Sequence, residues 1–290
     1  MTATITAMLY TDLARDIAMH IRHALVDRQV WETPTMDSRY NADDLKSRHK
    51  IDDLAINVIL NLVADIPCHV YIESWPVRYR ADAKFSLFID PIDGSINWDR
   101  GIGDPCVALA IADTVEPVCL GDLTYAYVFG LRSGDAYETR DGHAYYRSGL
   151  TRLERPIKTS SVQDLDQALG YIKIGYGGVT RQLALCESLL TQCRDLRSID
   201  NSAIELCELA RGASDLIVDG RSLSDSFNLI AYPILKQAGG ILCDLAGNSL
   251  DQVTIAEGKT VDYIACGNTA LRDQVLLSLH DRKSTMHGCH

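Results

Sequence analysis

The stretch Ser86–Asn97, SLFIDPIDGSIN, constrains this chain more than any other. An apolar run of strand character delivers Asp90 and Asp93, with Pro91 between them and Gly94-Ser95 directly after. Pro91 fixes φ and removes a donor, so the turn is stiff. Gly94 permits a positive φ and lets a ligand approach the backbone closely. Hard divalent cations prefer oxygen ligands, which two carboxylates on a rigid turn provide. If the Gly-Ser step opens a helical turn, its N–H groups form a seat for phosphate. Two ions sharing a carboxylate suit in-line displacement at phosphorus. Taken alone, Asp-x-x-Asp-Gly is also an ordinary turn. The whole string at the end of an apolar strand is far more specific.

Around this segment, helical and strand patterns interleave. Leu9, Leu13, Ile17, Ile21 and Leu25 predict an amphipathic helix over 9–26, and a second helix is expected over 52–65. The polar stretch 31–50 between them reads as a loop of the kind that can lie over a site. Strands are expected at HVYIES and SLFID, and residues 106–147 read as antiparallel sheet punctuated by turn signals. The last third alternates: a strand at ALGYIKI, helices over 180–193 and 202–211, and a strand at DLIVD. A helix over 225–237 ending at Gly239-Gly240, strands at ILCDL and VDYIACG, and a helix over 270–279 follow. This predicts an α+β fold of layered helices and sheets, with a largely antiparallel N-terminal sheet. Residues 1–150 are expected to carry the metal site, 151–282 the substrate contacts, and 283–290 a disordered tail.

Composition narrows the function. A net charge of −11 disfavours a nucleic-acid polymer as partner. It permits a small anionic substrate, because bound cations invert the local sign. The nine cysteines form no CxxC pair, and several lie in apolar runs. With no basic-then-apolar leader and no long apolar span, a cytoplasmic protein without membrane attachment is expected. No HxH, HExxH, GxSxG or GxxxxGK[ST] pattern occurs. The Gly175-Tyr-Gly-Gly run lacks a dinucleotide fingerprint, and the hairpin tyrosines read as sheet packing.

Asp90–Asn97 resembles the inositol monophosphatase family at every position of its signature D-P-[IL]-D-G-[ST]-x-N. The resemblance runs over residues 9–275 and is nearest to the archaeal-type inositol monophosphatase/fructose-1,6-bisphosphatases. Glu73 in VYIES and Asp52 in HKIDDLAINVI match the family's upstream acids, while NSAIELCELARGASDLIVDG and QAGGILCD match its downstream segments. The resemblance implies an α/β/α/β/α sandwich performing phosphate ester hydrolysis with two or three Mg²⁺. It implies that Glu73, Asp90 and the Ile92 carbonyl hold the first ion, and that Asp90 and Asp93 hold the second. Ser95, paired with Asp52, would orient the attacking water, and the Gly94 and Ser95 N–H groups would cradle phosphate. Asn201, Ser202, Ala203 and Asp219 would approach the substrate, and a homodimer is common among relatives. Taken singly, Asp52 could be only a helix cap, Glu73 a surface acid, and Asp219 a turn residue.

One position departs from the pattern. The family's remaining ligand of the second ion falls on Phe227, and the nearest carboxylate is Asp225. A two-residue shift on a continuous helix turns a side chain by about 200°. Asp225 is therefore expected to serve as a metal ligand only if the chain enters the helix irregularly; otherwise it caps it. The leading expectation is a phosphomonoesterase acting on a sugar or polyol phosphate. A nucleotide 3'-phosphatase, or a fold-retaining binding or regulatory protein, are the alternatives.

Overall fold

Two helices open the chain, α1 (Thr2–Asp27) and α2 (Lys50–Leu62). The computed structural model describes residues 2–27, 50–175, 177–223, 225–256 and 258–280. The loop expected over 31–50 therefore lies outside the described residues except for Lys50, as does the tail from 283. In α1 the buried stripe is Tyr10, Ala14, Ile17, Ile21 and Leu25, whereas Leu9 is 58% exposed. A four-residue step overshoots a 3.6-residue turn by about 40°. Counting back by fours from Leu25 thus drifts off the buried face, and the stripe keeps to it through a three-residue step. In α2, Asp52 and Asp53 lie in the first turn, where the helix dipole favours acids.

The first sheet comprises β1 (Cys68–Ile72), β2 (Phe85–Asp93), β3 (Cys106–Ala112), β4 (Leu123–Gly130), β5 (Ala136–Arg140), β6 (His143–Arg147) and β7 (Glu154–Pro156), in sequence order. A short helix, α3 (Ser95–Arg100), joins β2 to β3. Only β1 and β2 run parallel; the later neighbours are antiparallel, as the sequence leads one to expect.

The second half contributes β8 (Leu169–Ile172), α4 (Val179–Gln192), β9 (Asp195–Arg197), α5 (Ser202–Ala210) and β10 (Leu216–Asp219). It continues with α6 (Tyr232–Gln237), β11 (Ile241–Cys243), β12 (Tyr263–Cys266) and α7 (Thr269–His280). These strands form a sheet of order β11-β12-β10-β8-β9.

Side-chain alternation sorts the layers. On the first sheet, Leu87 and Ile89 pack against Ile17, Ile21, Ile56 and Ile59 of α1 and α2. Phe88, Ala108 and Val128 face the other way, onto Leu206 and Leu209 of α5 and Ile234 of α6. The same cluster takes in Ile217 of the second sheet, so the two halves share one core. Val218 points outward to Leu189 of α4 and Leu271 of α7. The order is therefore helix, sheet, helix, sheet, helix.

The helix expected over 225–237 is not continuous. A 3-10 turn covers Ser226–Leu229, and α6 begins only at Tyr232. Pro233 sits in the first turn of α6, where its missing N–H costs nothing, and it disfavours continuing a helix from before it. The strand expected over ILCDL stops at Cys243, because Asp244 accepts the N–H groups of Ala246 and Asn248 and turns the chain. The short strands β7 and β9 add edge positions that periodicity did not reveal.

Candidate active site

Asp90 and Asp93 would point to opposite faces of a regular strand, being an odd number of residues apart. They do not, because β2 carries a bulge. Asp90 pairs with Ala108 and Asp93 with Cys106, so three steps on β2 match two on β3. The extra residue restores both carboxylates to one face, the one between the sheets. It also explains how Pro91 is accommodated inside a sheet. Immediately beyond, Gly94 has φ 82° and opens α3, with Ser95 as its first residue. A Cβ at Gly94 would lie 3.3 Å from Asn201 Nδ2, so both conformation and space select glycine.

The carboxylates are held in a negative, poorly solvated setting. Asp90 is 4% exposed and Asp93 8%. Burial, then the charges of Glu73, Asp93 and Asp52, push the Asp90 carboxyl far above its ordinary range. Burial raises Asp93 to about 6, against the pull of the Lys173 ammonium and the Ala203 N–H. Glu73 is fixed where β1 ends, its N–H donating to the Ile89 carbonyl at 3.0 Å.

Asp93 is also a structural joint. The Ala203 N–H, in the first turn of α5, donates to Asp93 Oδ2 at 2.6 Å. Asn201 caps α5, its Oδ1 accepting the Ile204 N–H, while its Nδ2 reaches the carbonyls of Asp104 (2.9 Å) and Asp93 (3.4 Å). Asn97 Nδ2 donates to the Ile199 carbonyl at 2.6 Å. Asp200 takes a left-handed φ of 55°, so the backbone conformation that favours glycine falls on it and not on Asn201.

Several expected substrate contacts are occupied by the protein itself. Asn201 is spread over cap and carbonyls, and Ser202 Oγ accepts from Lys173 Nζ at 3.0 Å. Asp219 is fully buried and grips Arg221 with both oxygens at 2.9 Å. Arg221 in turn donates to the Gly175 carbonyl. Arg197 pairs with Asp195 on the surface.

Asp225 caps the 3-10 turn, accepting the Phe227 N–H at 2.9 Å. The irregular entry that the sequence requires for a metal role is thus present, and the capping role is realised within it. Phe227 is buried and meets Phe88 edge-on at 6.2 Å.

Sequence reasoning missed the pair Lys173–Glu205. Lys173 Nζ lies 2.6 Å from Glu205 Oε2, at 1% and 0% exposure. The available signal was a lysine inside the apolar run ALGYIKI, which requires a buried partner.

Among the described residues, no group of three or more His, Cys, Asp or Glu side chains is gathered to hold an ion as it stands. The donor chemistry nonetheless fits a hard cation. The donors are oxygens alone, and an ion beside Asp90 would offset the like charges that raise it.

The sequence profile of the inositol monophosphatase family matches residues 59–282. A fructose-1,6-bisphosphatase/inositol-1-monophosphatase of Thermococcus kodakarensis is 26% identical over 80% of this chain and 82% of its own length. Human inositol monophosphatase 2 is 27% identical over 78% of this chain and 77% of its own. The fold is shared with the inositol monophosphatase of Thermotoga maritima, at a TM-score of 0.71 and 17% identity, covering 96% of this chain and 99% of that one.

Proposed function

The chain belongs to the inositol monophosphatase family, and from that premise we propose that it is a magnesium-dependent phosphomonoesterase of a small sugar or polyol phosphate. The observation that carries this reading is the bulge that brings Asp90 and Asp93 to one face beneath Gly94. Inositol monophosphate and fructose-1,6-bisphosphate are the leading substrate types.

In this reading Glu73, Asp90, the Ile92 carbonyl and Asp93 are the residues that would hold Mg²⁺. When bound, the ions supply an activated water and offset charge on the leaving oxygen. Ser95 and Asp52 orient the attacking water. Gly94, with no side chain, lets its own N–H and that of Ser95 meet the phosphate. Asp225 acts as the cap of the 3-10 turn; its bond to the Phe227 N–H supports that role. Asp219 and Asn201 act indirectly, the first by holding Arg221 and the second by fixing the first turn of α5 beside Asp93.

No helix among the described residues is long and apolar enough to cross a membrane. We place the protein in the cytoplasm as a homodimer, which sedimentation would detect as about twice the chain mass. Phosphate release over a panel of sugar, polyol and nucleotide phosphates, with and without Mg²⁺, tests the assignment. Release from a sugar or polyol phosphate only with Mg²⁺ is expected. A second reading, a binding protein that kept the fold, draws on the buried Phe227. Mg²⁺ binding without release from any ester would favour it.

A further inference from the structure

Beside the catalytic segment lies a pocket of about 440 Å³, within the size range of small-molecule sites. Its walls include Tyr71, Trp75, Tyr79, Phe88 and Phe227, and among the described residues Glu116 is the one carboxylate or amine lining it. The rings form a continuous series inward from the surface. Tyr79 is 60% exposed and meets Tyr71 edge-on at 6.3 Å. Tyr71 stacks on Phe88 at 4.6 Å, and Phe88 meets Phe227 at 6.2 Å. Glu116 accepts the Tyr71 hydroxyl at 2.8 Å.

The chemistry of these walls is selective. Among the described residues no lysine, arginine or histidine lines the pocket, so they offer no cationic partner to a phosphate. Aromatic faces carry negative quadrupole potential and attract organic cations, above all alkylammonium groups. A carboxylate at the rim adds a full negative charge of the same preference. The protein's net charge of −11 reinforces the sign.

Position ties the pocket to the site. Phe88 and Asp90 lie two residues apart on the same face of β2, so their Cα atoms are about 7 Å apart. We propose that this aromatic pocket is a binding site for an alkylammonium group, set against the catalytic face of β2. The ammonium is either part of the phosphate ester or a separate amine that binds next to it. The pocket goes beyond the phosphatase reading and does not depend on it.

The test is a ligand-observed NMR titration of the full chain with choline and with its neutral carbon isostere, 3,3-dimethylbutan-1-ol. Choline is expected to bind at least about tenfold more tightly than the isostere. Glu116→Gln and Tyr79→Ala should each weaken choline about fivefold or more. Both side chains are exposed, so neither change threatens the core. Equal binding of choline and isostere overturns the proposal, as does no choline binding or binding unaltered in both variants. Choline that competes with a hydrolysed phosphate ester assigns the ammonium to the substrate; choline that binds without competing assigns it to a separate amine. Because binding is read without turnover, an inactive enzyme would count against the phosphatase reading and leave this test intact.

Discussion

The Asp93 carboxylate and the Ala203 N–H meet at 2.6 Å across 110 positions of sequence, joining the acidic turn of the first sheet to the first turn of α5. One side chain thus belongs both to the proposed cation site and to the joint between the two halves. The two duties separate by substitution. Asp93→Asn keeps an oxygen for the Ala203 N–H but loses the charge. It should fold with a nearly unchanged Tm while phosphate release falls more than about 100-fold. Asp93→Ala leaves that N–H without its partner and should lose about 1–3 kcal/mol of stability as well. Thermal melts and phosphate assays on the two variants check this; an active Asp93→Asn would remove Asp93 from the site.

The Lys173–Glu205 pair lies behind the same turn, with Lys173 bonded to Ser202 beside Ala203. Lys173→Met strands Glu205 in the core and should cost about 3–5 kcal/mol in denaturant unfolding. The double variant Lys173→Met/Glu205→Leu should recover most of that loss, because well-packed apolar groups can replace a buried pair. A double variant no more stable than the single one would show that the pair does more than neutralise itself.

Acidity should couple to cation binding. Both Asp90 and Asp93 have folded pKa values raised above the ordinary value of about 3.9. Without cations, the stability these groups contribute is present below about pH 4 and is lost as pH rises through the folded value, about 6 for Asp93. A divalent cation needs the ionised carboxylates, so Mg²⁺ should raise Tm more at about pH 8 than at about pH 5. Melting curves with and without Mg²⁺ at the two pH values measure it. An equal rise at both would contradict the shared site.

Asp225→Asn preserves an acceptor for the Phe227 N–H, since Asn caps as well as Asp. With Asp225 a cap, turnover should change by less than about threefold. A loss near 100-fold, with the fold intact, would make it a cation ligand.

The acidic segment was legible because its information is local: strand, proline, glycine and two acids lie within one short string. The bulge was not, since register depends on β3, and only the pairing of Asp93 with Cys106 reveals it. Asp225 was legible only as a choice between cap and ligand, because the 3-10 turn depends on Pro233 and on packing around Phe227. The burial of Asp219 and its grip on Arg221 were hidden for a similar reason. In sequence a two-residue acid–arginine spacing looks like an exposed turn, and only the second sheet encloses it. Layering was readable from the interleaved helices and strands and its order from the family resemblance, whereas the edge strands β7 and β9, three residues each, are too short to carry a period.

The most direct measurement is Mg²⁺-dependent phosphate release from inositol monophosphate and fructose-1,6-bisphosphate by the wild-type chain and by Asp90→Asn, each verified as folded. The wild type should release phosphate from at least one ester only when Mg²⁺ is present, and Asp90→Asn should fall more than about 100-fold. Undiminished release by Asp90→Asn would contradict a catalytic centre at Asp90–Ser95.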